Sequence, residues 1–173
     1  QKVVVKSAAN APLWGALYRQ YFEEIQQVTA SKGALQVEKK LFVERNNGQG
    51  IELQPVTDGN PLHKGDKVIV RLTLRADRDM EYVHLKDLRA GCFEPTQQMA
   101  GSSYKDGLWM YHAPEDAAEH FFIHRLPKGT FVLEYAVYTE RSGNYSGGIS
   151  TIQCLYAPEF VSHTSGSKIL VQD

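Results

Sequence analysis

The segment Lys67-Val68-Ile69-Val70-Arg71-Leu72-Thr73-Leu74-Arg75 puts Val68, Val70, Leu72 and Leu74 on one side and Lys67, Arg71, Thr73 and Arg75 on the other. That period of two belongs to an extended strand with one packed face and one wet face. The stretch from Thr130 to Arg141 repeats it, with Phe131, Leu133, Tyr135 and Val137 opposite Val132, Glu134, Ala136 and Tyr138. Such strands must pair, and antiparallel pairing with neighbours is expected.

Further strand candidates are Lys2–Lys6, Leu13–Phe22, Leu35–Glu44, Ile51–Pro55, Met80–Lys86, Leu108–His112, His120–Arg125, Ile149–Tyr156 and Lys168–Val171. Turn chemistry separates them at Asn46-Asn47-Gly48, Asp58-Gly59-Asn60-Pro61, Lys64-Gly65-Asp66, Lys105-Asp106-Gly107 and Ser142-Gly143-Asn144, where Gly and Asn tolerate positive φ. Many short strands at this spacing predict an all-β fold, a sandwich or a barrel, and an antiparallel immunoglobulin-like or fibronectin-like sandwich is the expected form. Leu126-Pro127-x-Gly129-x-Phe131 reads as the corner before a central strand of such a sandwich. Helix signal is thin: Phe22 to Val28 fits one or two turns about as well as a strand tail.

Thr29-Ala30-Ser31-Lys32-Gly33 is small and polar, which sets a boundary between residues 1–30 and a main domain over 31–173. A chain of 173 residues has room for one sizeable core plus a piece of a neighbour. It opens at Gln1 inside a strand candidate without signal-peptide features, so it reads as a piece of something longer. A net charge of -1 leaves no basic excess for nucleic acid or anionic membrane. No apolar run approaches the ~20 residues of a membrane helix.

Cys92 and Cys154 lack Cys-x-x-Cys spacing and form either one disulfide or two buried thiols. A bridge would close a long loop and stabilise the fold by about 4 kcal/mol. His120 and His124 would share a helix face, but on the expected strand their separation of roughly 13 Å is too long for one tetrahedral ion. Two solvent-facing histidines beside a core of Phe121 and Ile123 are expected instead. Asp77, Asp79 and Glu81 interleave with Arg75 and Arg78, which favours surface ion pairs over a calcium loop. No nucleophile elbow, zinc-protease motif or phosphate loop occurs. Neither catalysis, a metal nor a cofactor is expected. Tyr104, Trp109 and Tyr111 cluster around an Asp-Gly turn. They are either strand-packing residues or a sugar-stacking or protein-docking surface.

Trp14-Gly15-Ala16-Leu17-Tyr18, Asp77-Arg78-Asp79-Met80-Glu81-Tyr82-Val83, Gly91-Cys92-Phe93-Glu94-Pro95 and Ile152-Gln153-Cys154-Leu155-Tyr156-Ala157-Pro158-Glu159 occur in an order that resembles the carboxy-terminal end of bacterial, notably Bacteroidetes-type, α2-macroglobulins. The resemblance runs from Trp14 to the end. It implies that Lys2–Lys6 and Leu13–Phe22 form an extra amino-terminal β-hairpin, the returning strands of a CUB-like domain. It also implies that residues 31–173 form the last macroglobulin-like sandwich.

The family resemblance further implies an exported parent in the periplasm or cell envelope, acting as a broad-spectrum protease trap with a bait region and a Cys-Gln thioester. Neither cysteine here lies in the Cys-x-Glu-Gln of a thioester. The implied role is that of a non-catalytic structural and regulatory domain, whose partners are the parent's thioester and CUB-like domains and, through the parent, proteases. Leu155, Tyr156 and Pro158 fall on an apolar-Tyr-x-Pro run that the resemblance places in a wall shielding the thioester, with Leu155 where Met is frequent. The alternative is a stand-alone adhesion or carbohydrate-binding sandwich that uses Tyr104, Trp109 and Tyr111.

Overall fold

The computed structural model describes residues 21–57 and 59–173, together with Val4, Lys6 and Pro12. Among the described residues a single 3-10 turn, Ile25–Gln27, precedes fourteen strands. In chain order these are β1 (Leu35–Asn46), β2 (Ile51–Pro55), β3 (Leu62–His63), β4 (Lys67–Ala76), β5 (Met80–Leu88), β6 (Phe93–Pro95) and β7 (Gly101–Lys105). They continue as β8 (Leu108–Pro114), β9 (Ala118–Leu126), β10 (Gly129–Thr139), β11 (Gly143–Ser146), β12 (Ser150–Cys154), β13 (Val161–His163) and β14 (Lys168–Gln172). The expected strands Lys2–Lys6 and Leu13–Phe22, and with them the amino-terminal hairpin and the Trp14–Tyr18 motif, fall almost wholly outside the described residues.

Two sheets make the sandwich. One has five strands in the order β2-β1-β4-β10-β6, and the other has six in the order β13-β12-β5-β9-β8-β7. A small sheet, β11-β14-β3, closes one end, and its β14–β3 pair is parallel while the other strand pairs are antiparallel. The two segments with the strongest alternation are central partners, since β4 and β10 pair with Leu72 opposite Leu133 and Val68 opposite Val137. Their inward residues Val68, Val70, Leu72, Leu74, Leu133 and Val137 are fully or almost fully buried. They meet Val83, Leu85, Phe121, Ile123 and Ile152 of the other sheet in one core.

Local chemistry sets the connections. Asp106 (φ 50°) and Gly107 (φ 82°) join Lys105 to its partner Leu108, and two successive positive φ values make the tight turn whose twist suits a hairpin. The chain crosses from the six-stranded to the five-stranded sheet between Leu126 and Gly129, the corner expected from the sequence. Asp79 holds that corner, accepting from the Lys128 amide at 2.8 Å and Arg125 at 3.1 Å. Asp77 pairs with Arg78 at 2.8 Å, so two of the three acids in this run are engaged by cations at the surface.

Burial is not wholly apolar. Asp87 on β5 is completely buried and accepts from Lys39 Nζ on β1 (2.8 Å), Tyr135 Oη on β10 (2.5 Å) and Ser150 Oγ on β12 (2.8 Å). Lys39 also donates to the Leu88 and Gly147 carbonyls. This cluster ties one sheet to the other. Beside it on β9, buried Glu119 accepts from Arg89 and from His112 Nε2, each at 2.5 Å. Burial next to Asp87 holds the Tyr135 phenol well above its ordinary pKa.

The boundary segment is joined to the sandwich. Gly166 N donates to Val28 O, Ser31 N to His163 O and His163 N to Ser31 Oγ. A Cβ on Gly166 would lie 1.9 Å from Ile25 O, so the close approach requires glycine.

The aromatic face and the Leu155 turn

Strand β12 stops at Cys154, two residues before the expected end at Tyr156, because the chain turns outward there. The turn is pinned at each end. Cys154 N donates to Phe160 O, Phe160 N to Ala157 O and Leu155 N to Tyr82 O, all within 3.0 Å. Leu155 is 49% exposed, Tyr156 is 80% exposed and Pro158 is also exposed. A tethered turn therefore displays an apolar residue, an aromatic ring and a proline to solvent.

Tyr156 leans on Tyr82, ring centroids 5.0 Å apart and planes at 83°, and Tyr82 in turn meets His124 edge-on at 4.7 Å. Tyr82 has φ 53°, a left-handed conformation that disfavours a bulky side chain by about 1–2 kcal/mol. The in-out alternation slips at this point. Met80 and Val83 are buried while Glu81 and Tyr82 both face solvent, and on the paired strand Leu126 and Ile123 are buried while Arg125 and His124 face out. The slip brings Tyr82 out to support Tyr156.

The same outer face of the six-stranded sheet carries the other aromatic candidates. Tyr104 and Trp109 are cross-strand partners, centroids 5.6 Å apart and each 63% exposed. Tyr111, 46% exposed, approaches Phe122 at 6.5 Å, and Phe122 stacks on His84 at 4.6 Å. Tyr82 and His84 are alternate residues of β5, as Phe122 and His124 are of β9. The structure thus places Leu155, Tyr156, Tyr104, Trp109 and Tyr111, which the sequence presented as two separate groups, on one face. Tyr82, His84 and Phe122 join them, and sequence reasoning had not singled these out. Their signal was parity, since each takes the outward position next to a buried Val83, Leu85, Phe121 or Ile123.

His84 Nε2 and His120 Nδ1 are 2.9 Å apart on this face. Burial, and then the neighbouring His120 and Lys86, lower the His84 pKa below its ordinary value. His120 and His124 lie on β9, His120 half-buried and His124 exposed, flanking buried Phe121 and Ile123. Among the described residues no group of three or more His, Cys, Asp or Glu gathers to hold a metal ion.

Cys92 and Cys154 are both free and buried, and the bridge that the sequence left open is not formed. Cys154 ends β12 in the six-stranded sheet, with its Sγ directed to Glu81 O at 3.1 Å. Cys92 sits in the turn entering β6 at the edge of the five-stranded sheet, and burial pushes its thiol pKa up to about 11.

Residues 35–159 match the family of bacterial α2-macroglobulin MG10 domains. No curated protein matches the chain significantly. Among solved structures it is similar to Salmonella α2-macroglobulin reacted with methylamine, with TM-score 0.65 and 18% identity over 83% of this chain and 10% of that one. Native Escherichia coli α2-macroglobulin from domain MG7 to the C-terminus gives TM-score 0.66 and 15% identity over 83% of this chain and 24% of that one. The Escherichia coli protein activated by porcine elastase gives 0.64 and 15% over 84% and 14%. The chain therefore spans a quarter or less of these relatives. At such identities the likeness establishes the fold, a macroglobulin-like sandwich. The family match carries membership, and macroglobulin-like domains are non-catalytic: the chain belongs to the bacterial α2-macroglobulin family, as a domain of the MG10 type.

Proposed function

We propose that this chain is the carboxy-terminal structural and regulatory domain of a broad-spectrum bacterial protease inhibitor held in the periplasm or cell envelope. In that parent the turn bearing Leu155, Tyr156 and Pro158 packs against the thioester domain and keeps water and amines from the thioester before activation. Residues 1–30 are the returning end of a CUB-like neighbour, and the hydrogen-bonded segment around Val28 and Ser31 is the connection.

The observation that carries this reading is the pinned turn. Leu155 and Tyr156 stand in solvent on a loop that is tied by backbone hydrogen bonds and backed by Tyr82. Rigid, exposed apolar groups suit a surface that another domain covers. The test is Leu155→Ala with Tyr156→Ala in the full-length parent. Methylamine should inactivate the double variant faster than the wild type. An unchanged rate with the fold intact overturns the shielding role.

The exposure of Tyr104, Trp109 and Tyr111 favours a second reading, in which the same face stacks sugar rings as an adhesion or carbohydrate-binding sandwich. Saturable quenching of Trp109 fluorescence by cell-envelope oligosaccharides, lost in Tyr104→Ala, supports it. No change at millimolar sugar eliminates it.

A further inference from the structure

The His84–His120 contact has an unusual geometry. Their ring planes are 14° apart and the centroids 5.1 Å apart, while the nearest nitrogens are 2.9 Å apart. The centroid distance exceeds the nitrogen distance by almost two ring radii. The imidazoles therefore lie edge to edge and nearly coplanar, joined by a close to linear hydrogen bond and not stacked face on face. Lone pair and proton point along the line between the rings, which leaves neither nitrogen free for a metal.

Phe122 lies parallel to both rings, 4.6 Å from His84 and 6.2 Å from His120, and covers the pair. The other nitrogen of His120, Nε2, is buried without a hydrogen-bond partner, and Glu115 Oε2 stands 3.5 Å from it. Around the pair, β5 contributes Lys86 and Glu81, β9 contributes His124 and Arg125, and the β8–β9 turn contributes Glu115 and Asp116. Strand β8 supplies uncharged Tyr111 and Ala113, and β12 places uncharged Gln153 opposite His84. The charged or titratable residue of β13 is His163, opposite Thr151. Glu115 is thus the acid nearest the pair, and Lys86 is the cation that opposes further charge.

An N–H···N bond needs one donor and one acceptor. A neutral pair provides it, and so does a pair that has taken one proton from solvent. A second proton leaves N–H facing N–H. We propose that His84 and His120 form an acid-operated latch: their single imidazole–imidazole hydrogen bond adds a side-chain tie across the β5–β9 backbone ladder until both rings are protonated, when the rings part and Phe122 is released. Tyr82 lies next along β5 and His124 next along β9, so the corner carrying Tyr156 moves with the latch. The consequence of that movement for the parent rests on the function proposed above; the latch itself does not.

The experiment is an NMR titration of the chain from about pH 8 to about pH 4.5, following the imidazole 15N and the Phe122 and Tyr156 ring resonances. Two proton uptakes separated by more than about one pH unit are expected, with the Phe122 and Tyr156 shifts following the second. In His120→Gln, whose amide accepts a hydrogen bond but takes no proton, His84 should titrate in one step with Phe122 unmoved. Independent titration of the two histidines overturns the latch, as do Phe122 resonances that follow the first step or neither. The wild-type titration decides this even where the variant fails to fold.

Discussion

The ring of Tyr156 stands edge-on to the ring of Tyr82, centroids 5.0 Å apart, so the most exposed aromatic of the β12–β13 turn rests on a residue held in a left-handed backbone conformation. An edge-to-face pair contributes about 0.5–1.5 kcal/mol, and the φ of Tyr82 costs about as much. Tyr82→Gly should therefore change unfolding free energy little, because relief of the backbone offsets loss of the ring, whereas Tyr82→Ala should destabilise by about 1 kcal/mol. Urea unfolding of the two variants checks this. Equal stabilities would mean that Tyr82 φ carries no strain. Both variants should speed amine inactivation of the parent if Tyr156 shields the thioester.

Asp87 makes the strongest stability prediction. Replacing it by Ala leaves the Lys39 ammonium in the interior without its carboxylate, and breaking a buried pair from one side costs about 3–5 kcal/mol. Tyr135→Phe removes one donor of three and should cost about 1 kcal/mol. Denaturant midpoints measure both, and an Asp87→Ala cost no larger than that of Tyr135→Phe would show that the cluster does not join the sheets.

Much of this architecture was written in periodicity. The strands Lys67–Ala76 and Gly129–Thr139 were legible because nine or more residues sustain one alternation, and the Asp106-Gly107 turn because two positive φ positions demand those residues. The short strands Leu62–His63, Phe93–Pro95, Gly143–Ser146 and Val161–His163 were not, since two to four residues have no period and their partners alone make them strands. Asp87 and Glu119 were overlooked although parity marked them: Asp87 continues Val83 and Leu85 inward, and Glu119 continues Ile123 and Phe121. A charged residue at an inward position signals a buried pair, but its partners Lys39, Tyr135, Arg89 and His112 come from distant strands that only the fold brings near. The Tyr82 slip broke the alternation just where Tyr156 needed support.

Cys92 should be inert in the folded chain. Burial raises its thiol to about 11, so little thiolate exists near pH 8 and reagent has no access to it. Ellman's reagent should release no colour from native protein within minutes, and two equivalents after denaturation. Rapid reaction of one thiol in the native state would show that the β6 edge opens readily.

The pH dependence of stability follows from His84, whose pKa in the folded chain is lowered chiefly by burial and then by His120 and Lys86. The unfolded chain, with an ordinary imidazole near 6.5, takes up a proton that the folded chain resists. Native stability from this group is therefore complete above about pH 6.5 and is lost as pH falls from there through the lower folded pKa. The urea midpoint should drop as pH falls below about 6.5. His84→Gln should flatten that slope, because glutamine adds no proton in either state. A wild-type slope across this window no steeper than that of His84→Gln would mean that His84 binds its proton as tightly folded as unfolded, contrary to its place between Phe122, His120 and Lys86.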